Sequence, residues 1–363
     1  MRRLHVLHVI GGGDTGGAMS HLLPLLTSLR EQGCDVHLLC LGEGGLAEQA
    51  AARGLPVRIL PMRNPWDVSV LGSLRRDIAG GPPTSTAVAP GAWTAGDGRG
   101  SISGYASVTP WDVVHTHGMR ANLPVRLVLP TLVGRLGRRP CLLTTVHSDV
   151  LLDYGSPALA RTYQVLDRAT LPLVDTIICV SDSLRSLLLE RGYPAKKTLR
   201  IWSGLESQTG EAAGSPTKDE TLGSTTPQAA APTGRRPRIG TVARLAPVKD
   251  IDLLLETVAE LRRTVPEIEC IVVGDGPERE GLEAASRRLG VEDTVRFAGR
   301  SEKVAPTLRG LDVYMVTSVF EGGVSMSVLE AMAAGLPVVT TSAGGVAEAV
   351  KDGETGFVVS RDQ

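Results

Sequence analysis

The chain has 363 residues, enough for two or three domains and at least one substantial core. Hydrophobic residues make up 42% and charged residues 21%, which excludes wholesale disorder, collagen and a pure coiled coil. Lys and Arg total 38 against 39 Asp and Glu, a net charge of -1, so no polycation character points to nucleic acid as a partner.

Apolar, strand-like runs alternate with helical patterns from one end to the other, the signature of α/β folds with parallel sheets. The first half reads as strands at 4–10, 35–41, 57–60, 112–117, 141–147 and 176–181. The opening run, LHVLHVI after MRR, is broken by two histidines and stopped by glycines. It reads as a first strand and not as an export signal. The second half repeats the rhythm at 238–243, 269–274, 294–299, 312–318, 337–341 and 356–360. After Asp250, Ile251, Leu254, Leu255, Val258 and Leu261 recur at helical spacing, so one helix face packs on a sheet. Two strand sets imply two doubly wound, Rossmann-like domains facing across a cleft.

Two stretches break the pattern. Residues 80–107 are rich in Gly, Pro, Ser, Thr and Ala, and 207–234 hold one Leu and no other large apolar residue. Neither buries enough apolar surface to offset chain entropy, so both are expected to be flexible. The expected organisation is an N-terminal domain over 1–206 with an insertion at 80–107, a linker over 207–234 and a C-terminal domain over 235–363. The chain stops three residues after its last strand, where such a domain ordinarily adds a helix, so a C-terminal piece is expected to be missing. Cys34, Cys40, Cys141, Cys179 and Cys270 form no CxxC pair and read as reduced thiols of a cytoplasmic protein. No apolar run approaches the roughly 20 residues that span a bilayer. The arginines at 120, 126, 135, 138 and 139, interleaved with Leu and Val, leave open a weak peripheral contact with an anionic membrane surface.

Several motifs carry chemistry. GGGDTGG at 11–17 lies between a strand and a helix, where bare amides and missing side chains admit an anion. Gly11, Gly13 and Gly16 also satisfy G-x-G-x-x-G, with Glu43 after the second strand, which keeps open an NAD(P)-dependent oxidoreductase. Pro24 within the following helix implies a kink or a later start. His115 and His117 end one strand and His147 another, at the carboxyl edge that lines the crevice in open parallel sheets. They suit substrate contact or acid–base work. His-x-His also ligates metals, but no nearby carboxylate or cysteine set completes a site, and no metal is expected. Arg244 and Lys249 precede a helix, where two cations can hold a diphosphate. Asp250 and Asp252 open that helix and read as its caps. Glu321 and Glu330 flank a glycine-rich loop, and a carboxylate accepts from both of two vicinal hydroxyls. A non-enzymatic, two-lobed sugar-binding protein remains a third reading.

The stretches GTVARLAPVKDIDLLLE, IVVGDGPERE, VRFAG and EGGVSMSVLEAMAAGLPVVTTSAGGVAEAV resemble the nucleotide-binding domain of retaining GT-B glycosyltransferases of family 4 type, the sucrose-synthase-like and mannosyltransferase-like group. GGGDTGGAMSHL, DVVHTH and VSDSLRSLLLERG resemble its N-terminal domain. The resemblance implies transfer of a sugar from a nucleotide diphosphate sugar, with retention, to a saccharide or lipid-linked acceptor. It implies a donor site of Gly16, Gly17, Arg244, Lys249, Gly274, Phe297, Glu321, Gly322, Gly323, Val324, Ser325 and Glu330. Arg244 and Lys249 would bind the diphosphate, Glu330 the ribose and Glu321 the donor sugar. His147 would lie near the reacting sugar, His117 at the acceptor, and neither a metal nor a tightly bound cofactor would be needed. Eight residues separate Glu321 from Glu330, one more than in the family pattern, and the additional one falls at Gly322-Gly323.

Overall fold

A computed structural model describes residues 2–11, 17–64, 67–82, 110–132, 139–153, 157–205, 236–301 and 303–361. The segments 80–107 and 207–234, expected to be flexible, lie almost wholly outside the described residues. The chain forms two compact units. The first comprises Met1–Ser203 with Phe320–Met326 and Ser342–Lys351; the second comprises Gly204–Val319, Ser327–Thr341 and Asp352–Gln363.

The first unit is built on seven strands: β1 (His5–Ile10), β2 (Asp35–Cys40), β3 (Val57–Ile59), β4 (Val113–His117), β5 (Cys141–Val146), β6 (Thr176–Cys179) and β7 (Thr198–Arg200). Their order is β3-β2-β1-β4-β5-β6-β7, and every pairing is parallel. Helices cover both faces, so the strands need near-continuous apolar runs. Leu7 and Val9 of β1 join Val114, Leu142 and Ile177 on one face. Ile10 joins Leu38, Leu22 and Leu26 on the other, beneath the helix Gly17–Glu31. Each such side chain contributes about 1.5–3 kcal/mol on burial. That helix begins at Gly17 and runs through Pro24, so the later start allowed by the proline is not adopted. Strand β7 is the one the sequence pattern misses, because Thr-Leu-Arg at a sheet edge carries no apolar run.

One expectation about charge is corrected here. Arg126 is not part of a basic surface: it is 1% exposed and paired with buried Asp167 at 2.6 Å. Its guanidinium also donates to Thr170 Oγ1, and the Tyr193 hydroxyl donates to Asp167. Arg139 pairs with Asp175, while Arg135 and Arg138 lie outside the described residues. No described helix is long and apolar enough to cross a membrane.

The second unit has six parallel strands: β8 (Arg238–Val242), β9 (Glu269–Val273), β10 (Val295–Gly299), β11 (Val313–Val316), β12 (Val338–Thr341) and β13 (Gly356–Val359). Their order is β10-β9-β8-β11-β12-β13. The helix Ile251–Thr264 buries Ile251, Leu254, Leu255 and Val258 against the sheet, as its periodicity predicts. In each sheet the strand order reverses at the first strand, between β1 and β4 and between β8 and β11. A ligand crevice opens at such points, outside the carboxyl ends of the strands.

Candidate active site

Parallel register gathers histidines at the first of these switch points. His8 is the β1 partner of His115 on β4, so both point to the same face. His117 follows two residues later on that face and pairs in register with Thr145 of β5. His147 follows Thr145 by two, just past the strand. His21, from the helix over this face, closes the group with its ring 5.2 Å from that of His147.

The cluster is hydrogen-bonded in series. His8 Nδ1 lies 3.1 Å from His117 Nε2, and His117 Nδ1 lies 3.4 Å from His147 Nε2. His115 Nε2 lies 2.7 Å from Thr145 Oγ1. Burial disfavours the imidazolium throughout. Desolvation holds His147 down to about 3 and His115 to about 4, with His21 adding in both cases. His8 and His117 lie well below their ordinary value for the same first cause. Both ring nitrogens of His117 face other histidines and its side chain is buried, which leaves neither free for an acceptor hydroxyl in this conformation. Among the described residues, one group brings metal-ligand atoms together. Nitrogens of His8, His115 and His117 lie within 4.8 Å of one another. The third member comes from β1, which His-x-His spacing does not disclose.

The first unit also holds the loop 320–326. Gly322 lies against the main chain of His147 and Ser148, where any Cβ would overlap the His147 carbonyl. Ser181 Oγ donates to the Gly322 carbonyl at 2.5 Å and accepts from Leu184 N, capping the helix Asp182–Glu190. Gly323 packs on Val180, and the Glu321 carbonyl accepts from Gly345 N at 3.0 Å. His147, Gly322 and Gly323 are thus in one place, with Glu321 and Val324 buried beside them and Ser325 half-buried. A cavity of about 90 Å³ next to them is lined by Asn122, His147, Ser148, Asp149 and Arg191 among others. The Asn122 Oδ1 atom is buried with no partner among the described residues. Gly17 is the first residue of the helix Gly17–Glu31, and Gly16 lies outside the described residues.

The second unit carries the remaining predicted residues. Arg244 and Lys249 follow β8 in a turn pinned by buried Leu245. Val319 N donates to the Val248 carbonyl and Thr317 Oγ1 to that of Lys249, which fixes this turn beside the end of β11. Arg244 is exposed. Gly274 follows β9 with φ 136°, and a Cβ there would overlap the Ala243 carbonyl. Phe297 lies on the neighbouring β10 with the Arg279 guanidinium 5.0 Å from its ring centre. Glu330 is half-buried in the helix Met326–Ala333, and burial raises its pKa.

The capping expectation is corrected for Asp250. It occupies the N-cap position in a left-handed conformation, but its side chain makes no cap hydrogen bond and pairs with Arg361. Asp252 sits in the first turn, favourably placed in the helix dipole. Sequence reasoning also missed Glu348. Its carboxylate accepts from Asp182 N, Ser183 N, Ser183 Oγ and Trp202 Nε1 at 2.7–3.0 Å, and so takes the orphan donors of a helix N-terminus. A glutamate in a glycine-rich stretch gives no local sign of such a partner.

Comparison with known proteins identifies the family and the fold. A family model described as a glycosyl transferase 4-like domain matches residues 16–203, more than half of the chain, and one described as glycosyl transferases group 1 matches 236–363. The chain is 37% identical over 134 residues to the GDP-mannose-dependent alpha-(1-6)-phosphatidylinositol monomannoside mannosyltransferase of Mycolicibacterium smegmatis, covering 35% of each protein. It is 38% identical over 127 residues to the D-inositol 3-phosphate glycosyltransferase of Streptomyces scabiei, covering 32% of this chain and 28% of that one. The matches thus span about a third of these relatives. Among solved structures, Anabaena Alr3699/HepE in complex with UDP-glucose superposes with a TM-score of 0.70 at 18% identity, covering 98% of this chain and 85% of that one. WaaG, a glycosyltransferase involved in lipopolysaccharide biosynthesis, gives 0.65 at 16% identity, covering 98% and 86%. Two Rossmann-like sheets, the matched models and these likenesses agree: the chain belongs to the GT-B glycosyltransferases of family 4 type.

Proposed function

We propose that the chain transfers a hexose from a nucleoside diphosphate sugar to a hydroxyl of a saccharide, polyol or lipid-linked acceptor, with retention at the anomeric carbon. The observation that carries this reading is the seating of the Gly322-Gly323 loop on the main chain of His147, which makes one constellation of two distant motifs. In the reaction the bond from the anomeric carbon to the diphosphate oxygen breaks and one to the acceptor oxygen forms. The acceptor proton leaves with the diphosphate. Arg244 and Lys249 neutralise the charge that builds on the leaving diphosphate. Glu330 accepts from the ribose hydroxyls, Glu321 from the sugar, and His147 contacts the sugar near the reacting carbon. Gly16, Gly17, Gly274 and Phe297 shape the remaining donor contacts, and Asn122 offers the acceptor a buried carbonyl.

The relatives' names frame the substrates to try: GDP-mannose as donor, and inositol phosphate or a phosphatidylinositol mannoside as acceptor. A lipid-linked acceptor would bring the chain to a membrane surface with a smaller basic patch than the sequence implied, since Arg126 is internal. The test is a panel of nucleotide sugars, read as release of nucleoside diphosphate with and without acceptor, and NMR of the product's anomeric proton. Retention appears as the donor's own anomeric configuration in the product. No nucleoside diphosphate release from any donor, or a product of inverted configuration, would overturn the corresponding part. Nucleoside diphosphate should also raise the melting temperature, whereas a nicotinamide dinucleotide should not.

A further inference from the structure

The three histidines in series constrain one another. Burial keeps their rings neutral, and a neutral imidazole carries one N–H and one bare nitrogen. His117 is the middle ring, with a neighbour at each nitrogen. It can donate to only one of them, so it must accept from the other. The two hydrogen bonds therefore run in the same direction, and only two arrangements exist. In one, His8 Nδ1–H donates to His117 Nε2, and His117 Nδ1–H donates to His147 Nε2. In the other every proton is reversed.

The far end of the chain decides between them. His8 Nε2 is buried without a partner among the described residues. In the reversed arrangement that atom carries a hydrogen with nowhere to go. In the first it is only a bare lone pair. Buried N–H groups without acceptors are the rarer and costlier of the two. The outer end, His147 Nδ1, has no hydrogen bond among the described residues, and His147 as a whole residue is only partly buried.

We infer that His8 and His117 act as positioning residues that lock His147 in the tautomer with its proton on Nδ1, so that the ring faces the substrate as a hydrogen-bond donor. For the reading above, on which this last clause rests, the matching group is an oxygen of the donor sugar. A divalent metal at His8, His115 and His117 is the competing use of these nitrogens. It would bury two positive charges among neutral ligands and would break the His8–His117 bond.

The experiment is long-range nitrogen–proton NMR of the full chain labelled with 15N-histidine at neutral pH, without substrate. His147 signals are assigned by their loss in His147→Asn. The expected result is a protonated, pyrrole-type Nδ1 and a bare, pyridine-type Nε2 on His147. His8→Leu, which removes the first donor, should raise the population of the opposite tautomer. His8→Asn, whose amide N–H lies where Nδ1–H was, should restore the original one. A pyridine-type Nδ1 in the unaltered protein overturns the proposal, and so does a His147 tautomer indifferent to His8→Leu. Zinc held stoichiometrically through dialysis and shifting the His8 and His117 nitrogens would overturn it in favour of the metal. Kinetics separate the two claims. If His147 meets the sugar, turnover in His8→Leu falls roughly three- to tenfold, the scale of one neutral hydrogen bond, and recovers in His8→Asn. A switched tautomer with unchanged turnover upholds the relay and removes His147 from the proposed reaction.

Discussion

Mild acid should destabilise the first unit and leave the second nearly untouched. All seven histidines precede residue 148, so the second unit contains none. His115 and His147 are held down to about 4 and about 3 in the folded state, against an ordinary value near 6.5 in an unfolded chain. The unfolded state therefore binds protons first as the pH falls. Stability is complete above about pH 6.5 and is lost progressively down to the folded values. Linkage puts the loss between pH 7 and pH 5 at about 2 kcal/mol for each residue, or about 4 kcal/mol for the two. His8, His21 and His117 shift in the same direction and add to it. Set against a total stability of about 5–15 kcal/mol, this is a large fraction of what holds the unit folded. Hydrogen exchange read by mass spectrometry at pH 7, 6 and 5, corrected for intrinsic rates, would compare peptides of β1 and β4 with peptides of β8 and β9. The window stops at pH 5 because carboxylates titrate below it. Protection that is constant in β1 and β4 down to pH 5, or that falls equally in β8 and β9, would refute the reasoning. Replacing His147 by Asn should shrink the acid loss by about 2 kcal/mol.

Gly274→Ala places a methyl group on the Ala243 carbonyl at a φ only glycine tolerates; it should cost about 2–4 kcal/mol, read as a lower unfolding midpoint of the second unit. Arg126→Met leaves the Asp167 carboxylate buried without its cation and should destabilise the first unit by about 3–5 kcal/mol in denaturant titration. Lys249→Ala should lower turnover by a factor on the order of a hundred, because its charge acts most on the departing diphosphate. Glu330→Ala should chiefly raise the donor KM, because the ribose does not change charge in the reaction; steady-state kinetics of the two variants, showing the same pattern for both, would contradict these roles.

Much of the fold was legible because parallel strands must be apolar on both faces. Most strands stand out as runs of Val, Ile and Leu, or as histidine-bearing versions of one, while the edge strands β7 (Thr-Leu-Arg) and β10 (Val-Arg-Phe-Ala-Gly) do not. The glycine-rich loop at 320–325 was legible too, since a close approach of main chains demands residues without side chains, as Gly322 against His147 shows. What escaped depends on register and on distance in sequence. His8 reads as an ordinary polar break in β1 until pairing with β4 sets it opposite His115. Arg126 reads as a surface charge, because only the fold brings Asp167 to it from 41 residues away. Asp250 reads as a cap because acidic residues favour helix starts, yet an ion pair with Arg361, near the far end of the chain, claims its carboxylate. Such pairings have no local pattern to betray them.

The pairing of β1 with β4 has a consequence for how the protein is made. Val6 meets Val113, so the strand that completes the centre of the sheet leaves the ribosome more than a hundred residues after the strand it joins. Strands β1, β2 and β3 can associate early, but until β4 arrives β1 has one edge unpaired and His8 lacks the rings of His115 and His117. The histidine series is therefore assembled late in the synthesis of its own unit, and a nascent chain halted before β4 would expose an unpaired strand edge. The same long closure makes its length inexpensive to change. Because loop entropy grows only with the logarithm of length, adding about twenty residues between the helix Val70–Gly80 and β4 would cost about 0.4 kcal/mol. That is the interval in which the Gly-, Pro- and Ser-rich stretch at 80–107 occurs, so added length falls where it disturbs the sheet little.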